Sequence, residues 1–204
     1  MYKMRGMYDG ADFKFTQPIP VKESYEVHVT FFEPLKIALL PHDEDWATQF
    51  EIIKKELNKI LGDNVFEIYH IGSTSIKGVL SKPILDVAVV VNNIQKLNVI
   101  GMDIAGYVYC GEREPGRYLL AKRQQCGSIS MQHIHCYEKG HEKLNSMVLF
   151  CKYLNEYPEY AKKYNDVKLE LLSKYTDDRW SYSAGKSEFI KMVITLAEAR
   201  YGRV

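Results

Sequence analysis

The chain has 204 residues, with 27 Lys and Arg against 26 Asp and Glu. That length allows one domain with a sizeable core, and the balanced charge excludes a global positive field that would recruit nucleic acid or an anionic membrane. No apolar run reaches bilayer length, Asp9, Asp12 and Lys14 interrupt any secretory core, and Cys110, Cys126, Cys136 and Cys151 form no tight pairs, so a soluble protein of the reducing cytoplasm is expected.

Residues 1–23 show no strong period. Tyr25, Val27, Val29 and Phe31 alternate with Glu26, His28 and Thr30, which predicts a half-buried strand ended by Pro34. A second strand is predicted over 35–40. Trp46, Phe50, Ile53, Leu57 and Ile60 recur at helical spacing as far as Gly62, with Asp43 or Asp45 as cap. His70-Ile71-Gly72-Ser73-Thr74-Ser75 reads as a strand, a tight turn and a short helix, and 84–91 as a strand buried on both faces with Asp86 as its one acid.

Asn93 opens a predicted helix through Ile94, Leu97 and Ile100. Residues 107–110 read as a strand and 111–116 as a loop by Gly and Pro content. Strands over 118–123 and 130–137 form a hairpin around Cys126-Gly127-Ser128. From Glu142 the pattern is helical, with Leu144, Met147, Val148, Cys151 and Leu154 on one face. Pro158 suits the first turn of a helix carrying Ala161, Tyr164, Lys168, Leu171 and Leu172. A final helix over 187–201 turns Ile190, Val193, Ile194 and Ala197 inward. The expected class is α/β (α+β), a mixed β-sheet flanked by helices with a C-terminal helical segment.

The chemistry concentrates between His70 and Asp86. Gly72 lets backbone N–H groups approach an anion, and the hydroxyls of Ser73, Thr74 and Ser75 can bind phosphate or cap a helix. Asp86 lies among Ile84, Leu85, Val87 and Val89, where an unpaired carboxylate is costly, so it needs a cation or a Lys as partner. Taken singly, the turn also reads as an ordinary cap and Asp86 as a strand-end residue; together they point to a site. Lys82, Arg117, Lys122 and Arg123 stand on loops and strand ends near the turn, and Arg suits bidentate phosphate binding. For Arg123 a solvated hairpin face is the preferred reading. A P-loop is excluded because Lys77-Gly78 reverses the required order, and a Ser/His/Asp hydrolase lacks its Gly-x-Ser-x-Gly elbow. His133 and His135 share one strand face, yet with no Cys-x-x-Cys partner a structural zinc site is not indicated.

The succession His70, Gly72, Ser73, Thr74, Gly78, Lys82, Pro83 and Asp86 resembles the signature of the GrpB (UPF0157) family. Residues 41–46, 164–168 and 182–189 resemble the family's first and C-terminal helices. The resemblance covers about 36–201 and leaves 1–35 as an extension of unknown role, so one domain is expected over 36–204 with its helical part from about 141. It implies a nucleotidyltransferase-like fold, a Gly-Ser turn followed by a strand carrying Asp-x-Asp or Asp-x-Glu, with a third carboxylate on a neighbouring strand. Phosphate would then rest on Gly72, Ser73 and Thr74 with Lys82, Arg117 and Lys122, a Mg²⁺ or Mn²⁺ ion on Asp86 and His135, and Asp86, His133 and His135 would form the catalytic set. This chain departs at Ala88, where the second acid would stand, and at Gln132-His133-Ile134-His135, where histidines replace the third. Two functions remain: metal-dependent transfer of a nucleoside monophosphate from an NTP to a hydroxyl acceptor, or a degenerate module that binds a nucleotide or another phosphorylated small molecule.

Overall fold

Period-two burial of one strand organises the molecule. In β4 (Leu85–Val91), Leu85, Val87, Val89 and Val91 pack against Trp46, Ile53, Leu57 and Leu61 of helix α1 (Asp45–Leu61). Asp86 and Ala88 point to the opposite face, where Ala88 is buried with Ile71, Tyr137 and the apolar stripes of α3 (Glu142–Glu156), α4 (Pro158–Lys174) and α6 (Ser187–Tyr201). In this computed structural model residues 6–8, 13–15, 37–123 and 130–202 are described, so the alternating stretch at 25–31 and the turn at 126–128 lie outside the described residues.

Contacts divide the chain into units of residues 1–33 and 34–204. In the first, β1 (Gly6–Tyr8) and β2 (Phe13–Phe15) pair antiparallel. In the second, β3 (Val65–Ile71), β4, β5 (Tyr107–Glu114), β6 (Arg117–Arg123) and β7 (Ser130–Glu138) form one mixed sheet in the order β3-β4-β7-β6-β5. Only β4 and β7 are parallel, and their register sets Asp86 beside His133 and Ala88 beside His135. Among the described residues no helix is long and apolar enough to cross a membrane.

Several expectations are corrected. Of the strand expected over 35–40, the described residues 37–40 contribute one bridge, between Leu40 and Ser81, and the next residue, Pro41, has no N–H to extend a ladder. Of the two caps offered for α1, Asp43 is the one that accepts, from the backbone N–H of Asp45 at 2.9 Å, while the N-cap position itself is Glu44, whose side chain makes no capping bond. The helix from Asn93 divides, because Asn93 caps a single 3-10 turn and Asn98 caps α2 (Val99–Ile104). β5 continues through the predicted loop to Glu114, with Gly111 at φ 101 inside a bulge. Helix α5 (Arg179–Gly185), not separated in the sequence reading, starts where Asp178 accepts from the N–H groups of Trp180 and Ser181.

The segment after β3 is fixed from the far side of the chain. Asn155 accepts from the N–H of Lys77 at 3.0 Å and donates to the Ser75 carbonyl at 2.9 Å. Asn165 accepts from the N–H of Leu80 and donates to the Gly78 carbonyl, both at 2.8 Å. Two amides of α3 and α4 thus satisfy backbone groups that would otherwise lack partners.

Candidate anion-binding cleft

Gly72 sits at φ 73, and a Cβ there would fall 2.6 Å from Oδ2 of Asp86. The sequence reading reserved that space for an incoming phosphate; the structure gives it to the Asp86 carboxylate. The predicted short helix is one 3-10 turn, Ser73–Ser75. Its hydroxyls diverge: Ser75 Oγ donates back to the Gly72 carbonyl at 2.7 Å, and buried Thr74 Oγ1 lies 3.0 Å from His70 Nε2. Burial pushes the His70 imidazole down to about 4, so the ring, stacked on Phe50, is neutral at pH 7.

Ser73 accepts from a residue 95 positions away. Lys168 of α4 is 2 % exposed, and its Nζ donates to Ser73 Oγ at 2.7 Å and to the Leu80 carbonyl at 2.6 Å. Burial, then the charges of Lys186 and Lys82, push the Lys168 amine down to about 6. Lys82, 5.0 Å from the Tyr182 ring, is pushed down to about 8 by burial and by Lys186 and Arg179, and burial lowers Lys186. These lysines, Ser73, Thr74, Tyr182, His133 and Asp86 line a cleft of about 210 Å³. Asp86 is the one carboxylate on that wall among the described residues.

Asp86 is held from β7. His133 Nδ1 lies 3.1 Å and His135 Nε2 3.4 Å from its Oδ1. Burial alone would raise this carboxyl, but the hydrogen bonds to the two imidazoles prevail and hold it well below the usual carboxylate range. Arg117 stands behind His135, donating to its Nδ1 at 3.1 Å and to Glu114 at 2.9 Å, with its guanidinium over the Tyr137 ring; it does not line the cleft. Lys122 corrects the sequence reading more sharply. It shares the sheet face of Leu120, pairs with Glu56 of α1 at 3.1 Å and lies over the Tyr107 ring, away from Asp86.

Asp86, His133 and His135 bring their donor atoms within 4.8 Å of one another, a grouping that could hold a metal ion. Mg²⁺ demands oxygen ligands in a tight octahedron, so one carboxylate and two imidazoles do not fit it; an ion tolerant of nitrogen does. Sequence reasoning missed Lys168, Lys186 and Tyr182 as cleft residues. A signal for the first was present, a cation at a core position of the stripe Ala161, Tyr164, Lys168.

A five-stranded mixed sheet with a carboxylate on an interior strand, faced by lysines from the segments packed over it, defines an α/β protein with a lysine-lined cleft. The family model described as GrpB protein matches residues 36–195, and the chain belongs to that family. UPF0157 protein YqkA of Bacillus subtilis is 29 % identical over 91 % of this chain, which spans only 54 % of YqkA's length. Glutamate-rich protein GrpB of Alkalihalophilus pseudofirmus is 32 % identical, over 78 % of this chain and 94 % of its own. The crystal structure of conserved protein GrpB from Enterococcus faecalis superposes with a TM-score of 0.74 at 30 % identity, covering 80 % of this chain and 99 % of that one.

Proposed function

We propose that the chain transfers a nucleoside monophosphate from an NTP to a hydroxyl acceptor in the reducing cytoplasm, with the triphosphate seated on Ser73, Thr74, Lys82, Lys168 and Lys186. The observation that carries this reading is the gathering of Lys82, Lys168 and Lys186 around one carboxylate in one cleft. Burial and, after it, mutual repulsion push the Lys82 and Lys168 amines down, and an entering polyphosphate supplies the counter-charge that lets them protonate. The acceptor oxygen attacks the α-phosphorus and releases its proton to solvent, the bond to the β-phosphate bridge breaks, and pyrophosphate leaves against the lysines. Of the two ions expected from the sequence, Mn²⁺ suits Asp86, His133 and His135 better than Mg²⁺; bound there, it would polarise the phosphoryl group under attack.

A second reading, binding without turnover, is favoured by Ala88. It is fully buried among Ile71, Ile76 and Tyr137, so among the described residues no second acid stands next to Asp86 on that face. Ala88→Asp is therefore expected to lower stability by about 2–5 kcal/mol rather than to rebuild a metal pair, because the new carboxylate enters an apolar cluster. Thermal melts and pyrophosphate release check this. A variant with the wild-type melting temperature and new metal-dependent release would show that the wall at Ala88 yields.

A thermal-shift panel of nucleotides, with and without Mn²⁺ or Mg²⁺, separates the readings, since a ligand of the folded state raises the melting temperature by mass action. Metal-dependent stabilisation by an NTP supports the transferase. Metal-independent stabilisation by many phosphorylated ligands supports the module, and no shift with any of them contradicts both.

A further inference from the structure

We infer that Asp86, His133 and His135 form a three-ligand site for a borderline divalent transition ion of the Zn²⁺ class, and that Mg²⁺ is not its occupant. The inference rests on the same three residues that the transferase reading gives to its ion and adds to that reading which class of ion they take.

A tetrahedral ion with bonds of about 2.0–2.1 Å holds its ligands roughly 3.3–3.4 Å apart. Asp86 Oδ1 lies 3.1 Å from His133 Nδ1 and 3.4 Å from His135 Nε2, and all three atoms lie within 4.8 Å of one another, so the two rings draw together around such an ion. The ligands are set by rigid structure. Asp86 lies on β4, paired on both edges, and His133 and His135 project from the same face of its parallel neighbour, the central strand β7. Gly72 leaves room for Oδ2, which turns Oδ1 towards both rings. The His133 side chain remains 32 % exposed and lines the cleft, so the group is open to an ion from solvent.

The donor types decide the class of ion. Imidazole nitrogen suits Zn²⁺, and affinity for such sites rises along the first-row series past Mn²⁺. Mg²⁺ dehydrates reluctantly and is served by carboxylates and phosphates, of which this group offers one carboxylate. Among the described residues no other set of three or more His, Cys, Asp or Glu meets the same geometry.

Arg117 supplies a second signature. Its guanidinium has no acceptor, so its contact with His135 Nδ1 places the ring's lone pair there and its proton on Nε2, the atom that would face the ion. Arg117 therefore opposes loading, and Arg117→Met should tighten Zn²⁺ binding several-fold, whereas a bystander would leave it unchanged.

The test is calorimetric titration of the full chain with Zn²⁺ alone, without nucleotide, paired with visible spectra of the Co²⁺ form. One ion per chain is expected, with d–d bands in the Co²⁺ form and at least tenfold weaker binding in His133→Gln and His135→Gln, both checked for folding by circular dichroism. Millimolar Mg²⁺ should not displace Zn²⁺. All cysteines are kept in these variants, so undiminished binding in either would place the ion elsewhere and overturn the assignment, as would absence of Zn²⁺ binding or displacement by Mg²⁺. Arg117→Met with unaltered affinity would overturn the role given to His135 Nε2. Nucleotide binding without Zn²⁺ binding sinks this inference alone, and Zn²⁺ binding without any phosphorylated ligand sinks the transferase reading alone.

Discussion

Lys168→Met is expected to weaken triphosphate binding about 100-fold, equivalent to about 3 kcal/mol for a lost charge-assisted bond, while leaving the protein folded. Methionine keeps the length of the side chain and removes the need to bury an amine that is 2 % exposed. The Leu80 carbonyl loses a donor, but the turn around it stays clamped by Asn165. The same variant has a signature without ligand. Lys168 is held near about 6 and Lys82 near about 8, against an ordinary 10.5 for each, so over this range the unfolded chain binds protons that the folded chain does not. Stability of the unliganded protein therefore rises with pH from about 6 towards 10, and Lys168→Met flattens the lower part of that rise. Melting temperatures between pH 6 and 9, with calorimetry at pH 7, check both. Wild-type nucleotide affinity and an unaltered pH slope would remove Lys168 from the site.

Gly72→Ala should damage both the fold and the site. The position has φ 73, which costs a Cβ-bearing residue about 1–2 kcal/mol, and its Cβ would lie 2.6 Å from Asp86 Oδ2. Adding displacement of that carboxylate, a total loss of about 2–4 kcal/mol is expected, a fall in melting temperature of roughly 5–15 °C for a chain of this size. Metal and phosphate binding should fall with it, because Oδ1 then no longer faces His133 and His135. Combining the change with Asp86→Ala tests the cause. The double variant removes the contacts with Oδ2 and Cγ and keeps only the 3.0 Å approach to the Cβ at position 86, so its destabilisation should be smaller than the sum of the two single losses. Strict additivity would show that Gly72 is required for backbone conformation alone.

Local pattern made the centre of this protein legible. The apolar run interrupted by Asp86 reads as a buried strand and folds as one, and the turn from His70 to Ser75 sits where expected, although as a 3-10 turn. The helical stripes of α1, α3, α4 and α6 were equally plain, since each buries one face. What sequence could not give was the far wall of the cleft. Lys168 meets Ser73 across 95 residues, and only the packing of α4 over the turn makes them neighbours. Lys122 was misplaced for the opposite reason: it is near in sequence to the right strands, yet period two turns it with Leu120 to the α1 face and Glu56. Gly111 shows the ambiguity of glycine, which marked a loop in the sequence and proves to occupy a bulge in β5.

The central claim is that the lysine-lined cleft holds a nucleoside triphosphate, and calorimetric titration of each common NTP into the wild type and into Lys82→Met, Lys186→Met and Lys122→Met tests it most directly. Saturable binding of one NTP per chain is predicted, weakened at least tenfold by loss of Lys82 or Lys186, each a charged contact of about 1.5–3 kcal/mol, and unaffected by loss of Lys122 on the other face. No binding of any NTP, or equal binding by all three variants, would contradict it.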